Sequence, residues 1–428
     1  MTWLRSARTP DGNLADVEID GGRIARVIPA AGATATGGDR DENLSGYVLF
    51  PSFAEPHAHL DKALTAGRVP NESGDLAGAI RAMGTIAGTL TRDDIRQRAD
   101  QAIRTHLALG TTAVRTHVNV GGPMGLRALE ALLDVKERWK RTVDLQLVAL
   151  VASPLSGQPG KDLVTALKNG ADIAGGCPHL DPEPERAVAI CLDAAGDAGV
   201  PLDLHTDETL NPARLTLKTL AELTSKTGFP HPVTASHCCS LAVQDGKTQQ
   251  EVAEKTAEAG ISVIALPQTN LYLQGRDYSR ATPRGLTAVR PLITATCNVA
   301  AGGDNLRDPF HPVGRGDALE VAALMVTAGH LTPDEALHTV THAARAALKL
   351  PPVSLTPGAS GFPADLVAIR AESALDALAA ATQDRVVWRA GRVVARTTVH
   401  TEITEITEIT EITQMTEVTQ ITEGAAPA

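Results

Sequence analysis

The sequence predicts an α/β fold, a (β/α)8 TIM barrel with a small β-sandwich domain formed by both termini, and three observations carry that prediction. Short strand-like apolar runs alternate with longer helical stretches through the middle of the chain. Hairpin-like β segments stand at both ends. Four of the central runs end in a residue able to bind a metal ion. The length of 428 residues exceeds one small domain, yet a barrel of about 250 residues with insertions absorbs most of it.

Taken in order, Asp16-Val-Glu-Ile-Asp, the pair Gly21 and Gly22, and Ile24-Ala-Arg-Val-Ile read as a β hairpin. Ala364-Asp-Leu-Val-Ala-Ile-Arg and Val386-Val-Trp-Arg-Ala-Gly-Arg-Val-Val repeat that character near the other end. Residues 1–50 and 355–398 are therefore expected to form one small sheet domain around a barrel spanning 51–354. Within the barrel, strands are expected over 112–120, 145–151, 202–205, 233–237, 261–266 and 298–302. Intervening helices include 127–141 and 249–259. Strand number alone does not separate a closed barrel from an open sheet; the metal-competent strand ends favour the barrel. Residues 399–428 repeat Thr-Glu-Ile with a period of three, which suits neither a helix face nor a strand, so this tail is expected to be disordered.

Apolar residues make up 43% of the chain and aromatics only 3%, so the core must rest on Ala, Val, Leu and Ile. The formal charge of −11 owes six glutamates to the tail; without them 44 acidic residues face 39 basic ones. A mildly acidic body with no basic stripe gives no footprint for nucleic acid. Five scattered cysteines without CxxC spacing suit a reducing compartment. No stretch approaches the roughly 20 apolar residues of a spanning helix, and the first residues lack a long apolar region, so a soluble, cytoplasmic protein without membrane partners is expected. A homo-oligomer stays open.

The chemistry sits at the strand ends. In Glu55-Pro-His57-Ala-His59-Leu-Asp61, two histidines at strand spacing face the same side and so address one ion. Leu202-Asp-Leu-His205 ends in an imidazole with Glu208 three residues on, where it could carry protons without binding metal. Val233-Thr-Ala-Ser-His237 and Val299-Ala-Ala-Gly-Gly-Asp304 complete the set. One such histidine is ordinarily a satisfied core residue. Four together at the C-terminal strand ends mark a site, because this architecture collects its catalytic groups there.

These motifs, with EPHAHLDKALT, VRTHVNV, DLHTDET, VTASHCCSLA, LYLQGR and GGDNLRDPFHPVGRGDALE, resemble the amidohydrolase superfamily over most of residues 45–350, particularly its cytosine deaminase-like branch and the N-isopropylammelide amidohydrolases. The resemblance implies one divalent metal ion held by His57, His59, His205 and Asp304. It makes Glu208 the proton shuttle, His237 a group at the attacking water or oxyanion, and Asp304 an acceptor of the water's proton. Zn2+ is the expected ion, with Fe2+ and Mn2+ chemically reasonable. A bound ion lowers the pKa of its water towards about 7, and that hydroxide attacks the ring carbon. Binuclear members carry a bridging lysine at the fourth strand. Read as that strand, Leu145 to Pro154 has none, which favours a single ion.

The resemblance also breaks in places. Cytosine deaminases carry a glutamine near Ala152 and Ser153, a second aspartate at Asn305 and a tryptophan at Phe310. Losing the amide that reads a pyrimidine edge argues against cytosine itself. Lys62, His117, Gln274, Asn305 and Phe310 join Ala152 and Ser153 as candidate substrate contacts. The expected reaction is deamination of an amino-pyrimidine or triazine type of small heterocycle. Hydrolysis of a cyclic amide or another C–N bond is the alternative, and a non-catalytic barrel scaffold is the alternative of another class. The zinc-deaminase HxE and PCxxC layout, Walker A and GxGxxG loops are all absent.

Overall fold

The computed structural model describes residues 1–30 and 41–400. The expected disorder of the Thr-Glu-Ile tail falls on residues beyond these. The chain divides into two compact units, one comprising Met1–Ser52, Leu107–Gly110 and the chain from Val353 onward, the other Phe53–His106 and Thr111–Pro352.

The first unit is a mixed sheet drawn from both ends of the sequence. Its order is Arg392–Thr397, Arg385–Arg389, Leu366–Arg370, Tyr47–Pro51, Thr2–Arg8, Leu14–Asp20 and Arg23–Pro29. The two halves of the sequence meet where Tyr47–Pro51 pairs antiparallel with Leu366–Arg370. The sheet then turns back on itself: Ile24 donates its N–H to the Phe362 carbonyl at 2.8 Å, and Arg23 bridges Pro363. Leu4, Val17, Ile24, Leu49, Leu366 and Trp388 are buried inside the fold so formed. Each such side chain contributes about 1.5–3 kcal/mol by leaving water.

In the second unit eight parallel strands follow one another in sequence order: Phe53–Ala58, Thr111–Asn119, Asp144–Leu150, Ile173–Gly176, Leu202–Thr206, Val233–His237, Ser262–Ala265 and Val299–Ala301. Nearly every strand residue is buried, as expected when helices cover a parallel sheet. The helix Arg127–Trp139 shows how: Ala128, Leu129, Ala131, Leu132 and Val135 form one apolar stripe at helical spacing. The first and eighth strands meet through a parallel bridge between Ala58 and Asp304, with the Asp304 N–H donating to the His57 carbonyl at 3.0 Å. The eighth strand is made of small residues because Glu55 fills the space beside it. A Cβ on Gly302 would lie 2.4 Å from Glu55 Oε1.

Six of these strands stand where the apolar runs predict them. Ile173–Gly176 does not, because four residues including two glycines give no legible alternation. This strand corrects the count: Asp144–Leu150 is the third barrel strand, and the fourth is Ile173–Gly176, which leads into Cys177. No lysine stands between Ile173 and Leu180 either, and Lys161 belongs to the helix Gln158–Lys168.

Candidate active site

The strand ends bring the sequence-predicted residues together. His57 and His59, two apart on one strand edge, reach the bridge that closes the barrel, and Asp304 stands in that bridge. His205 and His237 arrive from the fifth and sixth strands. His237 and Asp304 both hold left-handed backbone, with φ of 69° and 62°. That conformation costs a non-glycine residue about 1–3 kcal/mol and is kept where surrounding structure enforces it.

His59 Nε2 lies 3.1 Å from His205 Nε2 and 3.3 Å from Asp304 Oδ1, and His57 Nε2 lies 3.6 Å from the same carboxylate oxygen. All are buried. Hydrogen bonds behind the cluster set the tautomers. His59 Nδ1 faces the His117 carbonyl at 3.2 Å, which only accepts, so the hydrogen sits on Nδ1 and Nε2 bears a lone pair. The Ser236 hydroxyl gives its one hydrogen to Asp203 at 3.3 Å and so accepts from His57 Nδ1 at 2.8 Å, leaving His57 Nε2 likewise free. Asp203 is held in turn by Arg115 at 2.8 Å.

Protonation does not relieve the crowding of lone pairs. Burial holds His57 and His205 well below the ordinary histidine range, reinforced by neighbouring positive charge, and pushes His59 down to about 3. His57 Nε2 and both Asp304 oxygens have no hydrogen-bond partner among the described residues. Convergent, unpartnered nitrogens and a carboxylate fit a divalent cation, and three imidazoles with one carboxylate suit Zn2+, Fe2+ or Mn2+. His57, His59 and His205 form one group close enough to hold an ion; His57, His237 and Asp304 form another.

Glu208 is buried beside this cluster, its Oε1 3.7 Å from His237 Nδ1. Desolvation, with Asp304 adding to it and Lys62 opposing it, raises its carboxyl well above the usual range, so it holds a proton more firmly than an exposed glutamate does. It also lines a cavity of about 520 Å³ with Leu76, Ile80, His179, Gln274 and Tyr278. The cavity wall includes none of His57, His59, His205 or Asp304; Glu208, beside His237, and His179, bonded to the His205 carbonyl, line it and adjoin the cluster.

The other candidates fare differently. Gln274 lines the cavity and donates to the Glu208 carbonyl at 3.2 Å. The Lys62 ammonium, on a side chain buried to 6% exposure, lies 4.8 Å from the Phe310 ring centre. His117 packs 3.9 Å from the His57 ring. Asn305 has its amide oriented by two bonds, accepting from Thr269 at 3.1 Å and donating to Asp308 at 2.8 Å, which leaves one N–H and one lone pair. Ala152 is exposed and Ser153 half-buried just beyond the third strand, and neither lines the cavity. The sequence reading missed His179, which caps the loop after the unrecognised fourth strand. Its Nδ1 donates to the His205 carbonyl at 3.1 Å, and its Nε2 has no hydrogen-bond partner among the described residues. The signal available was a histidine just after Gly175, Gly176 and Cys177.

A parallel barrel with a histidine and carboxylate cluster at its C-terminal strand ends defines a hydrolytic barrel enzyme of the metal-binding class. The chain belongs to the Amidohydrolase family, whose profile matches residues 67–395. It is 35% identical over 390 residues to a pterin deaminase of Rhizobium rhizogenes, covering 90% of this chain and 88% of that one. A crystal structure of 5-methylcytosine deaminase from Klebsiella pneumoniae superposes with a TM-score of 0.85 at 31% identity, covering 94% of this chain and all of the other. N-isopropylammelide isopropylaminohydrolase from Burkholderia multivorans gives a TM-score of 0.77 at 30% identity over 92% of this chain and 98% of its own. The chain is thus an amidohydrolase of the cytosine deaminase-like branch, an enzyme acting on C–N bonds, which sets aside the scaffold reading. Among the described residues no helix is long and apolar enough to cross a membrane.

Proposed function

We propose that this enzyme hydrolytically deaminates a small nitrogen heterocycle bearing an exocyclic amine, of pterin, aminopyrimidine or aminotriazine type, with one divalent ion held by His57, His59, His205 and Asp304. The observation that carries the reading is Glu208: a buried carboxyl whose hold on its proton burial strengthens, lying beside the ligand cluster and lining the cavity. A bound ion, with Zn2+ the first choice, supplies Lewis acidity and acidifies a water near neutral pH.

The protein's own groups do the rest. Asp304 accepts a proton from the attacking water. Glu208 delivers one to the ring nitrogen beside the attacked carbon, regains one from the new C–OH as that becomes the ring oxo group, and passes it to the departing amine; transfer of the proton from Asp304 to Glu208 restores the starting state. A C–O bond forms, the exocyclic C–N bond breaks, and a ring oxo product leaves with ammonia or an alkylamine. His237 stabilises the oxygen on which charge develops. Two relatives that cover most of the chain are named deaminases. The cavity lies within the roughly 300–1,000 Å³ of small-molecule sites. Cytosine ranks lower because cytosine deaminases carry a glutamine near the positions of Ala152 and Ser153, neither of which offers an amide or lines the cavity.

The test is amine release by the zinc-loaded protein from a panel of pterins, aminopyrimidines and aminotriazines. Stoichiometric amine and oxo product are expected from at least one. Glu208→Gln should lower kcat by about 10²–10⁴ with the ion retained. Release from none would sink the proposal, and a mass gain of one water without amine would select ring-amide hydrolysis.

A further inference from the structure

Among the described residues three side-chain sets are close enough to hold an ion; all three contain His57, and one of them contains His237. What decides whether His237 ligates lies behind it. Asn270, fully buried on the short helix Pro267–Leu273, places its amide nitrogen Nδ2 at 2.9 Å from His237 Nδ1. An amide nitrogen only donates, so Nδ1 must accept. We infer that Asn270 is the positioning residue that holds His237 with its hydrogen on Nε2, making it a hydrogen-bond donor to the reacting oxygen and barring it from the metal.

The reverse amide orientation would turn Oδ1 towards Nδ1 and leave Nε2 as a ligand lone pair. It is the costlier arrangement. Asn270 Oδ1 has no hydrogen-bond partner among the described residues, so turning the amide would put two N–H groups where one carbonyl oxygen now sits, and stranded buried N–H groups are the rarer case. Glu208 Oε1, at 3.7 Å from the same Nδ1, is too distant to compete. The backbone of His237 is pinned as well, by its left-handed φ and by the Thr287 hydroxyl on its carbonyl. Its Nε2 has no hydrogen-bond partner among the described residues, and the ring's ligand atom lies within 4.8 Å of those of His57 and Asp304. The contrast with His57 and His59 is one of tautomer: their Nδ1 atoms donate and their Nε2 atoms are free to ligate, whereas His237 is set the other way.

The destination of the donated hydrogen rests on the deaminase reading, but the tautomer does not, and the two are tested separately. Long-range 1H–15N correlation spectra of zinc-loaded, histidine-labelled protein report the tautomer directly, with His237→Gln identifying the resonance. A protonated Nε2 and an unprotonated Nδ1 are expected. Asn270→Asp, nearly isosteric but only accepting, should invert that signature and lower kcat by about 10²–10³ with KM changed by less than about threefold. Asn270→Ala, which removes the donor without imposing an acceptor, should cost about tenfold in kcat. An unprotonated Nε2 in the parent protein would overturn the inference even if no substrate were known. So would an unaltered signature in a folded Asn270→Asp protein, or losses that fall on KM or on bound metal instead of kcat.

Discussion

Replacing Arg115 with Met should destabilise the enzyme by about 3–5 kcal/mol, although no part of Arg115 reaches the cavity. Its guanidinium, 3% exposed, donates to Asp203 at 2.8 Å, Gln146 at 2.9 Å, and Thr234 and the Ala347 carbonyl at 3.0 Å. Met fills similar volume and offers none of these. Asp203, fully buried, would keep only the Ser236 hydroxyl, and a buried charge stripped of its partner accounts for most of the loss. Against a total stability of about 5–15 kcal/mol that is severe, and the melting temperature should fall on the order of 10 °C. Burial already holds the Asp203 carboxyl above its ordinary value despite Arg115. The folded state therefore binds more protons there than the unfolded state, and stability falls as pH rises through that window. Losing Arg115 raises the carboxyl further, so the deficit should shrink as pH falls. Arg115→Met combined with Asp203→Leu should recover most of the stability, since apolar replacements of buried ion pairs are often neutral. It should still lose about 10–100-fold in metal affinity, because Ser236 no longer has Asp203 to turn it towards His57. Denaturant midpoints and thermal scans at two pH values decide. A single variant within about 1 kcal/mol of the parent, or a deficit that grows in acid, would refute the reasoning.

Metal removal by a chelator should abolish activity and lower the melting temperature, because it leaves the convergent His57 Nε2 and Asp304 oxygens, unpartnered among the described residues, without the ion they face. An ion present at 1,000 times its Kd accounts for about 4 kcal/mol. Elemental analysis should find one ion per chain; two, or none with an unchanged melt, contradicts the mononuclear reading. If Lys62, buried without a hydrogen bond or ion pair among the described residues, meets a substrate oxygen, Lys62→Met should raise KM about tenfold and leave kcat within a few-fold. A fall in kcat at constant KM would place Lys62 elsewhere in the mechanism. Thr332→Ala removes half of the capping box that starts Pro333–Val340 and should cost about 1 kcal/mol by denaturant titration. Its partner Glu335 is held down to about 2 by hydrogen bonds from Arg290 and Thr332, against 4.5 ordinarily. The stabilisation from Glu335 is therefore complete above 4.5 and lost as pH falls towards 2, and Glu335→Gln and parent stabilities should converge there.

The sequence by itself determined which residue types end the strands. Apolar runs with a period of two carry His57, His205 and His237 to one end of a parallel sheet, and small residues before Asp304 allow the first and eighth strands to close. That is local physics, legible along the chain. Ile173–Gly176 and with it His179 escaped because so short a strand with two glycines has no period to read. Tertiary structure alone decided what these groups can do. His57 takes its tautomer from Ser236, 179 residues away, and Ser236 is turned by Asp203 under Arg115. Asn305, promising as a substrate contact, has its amide oriented by Thr269 and Asp308. Glu208 gains its raised proton affinity only through desolvation by segments that meet around it. Hydrogen-bond partnership and burial are sums over residues distant in sequence, so they come into being with the packed barrel.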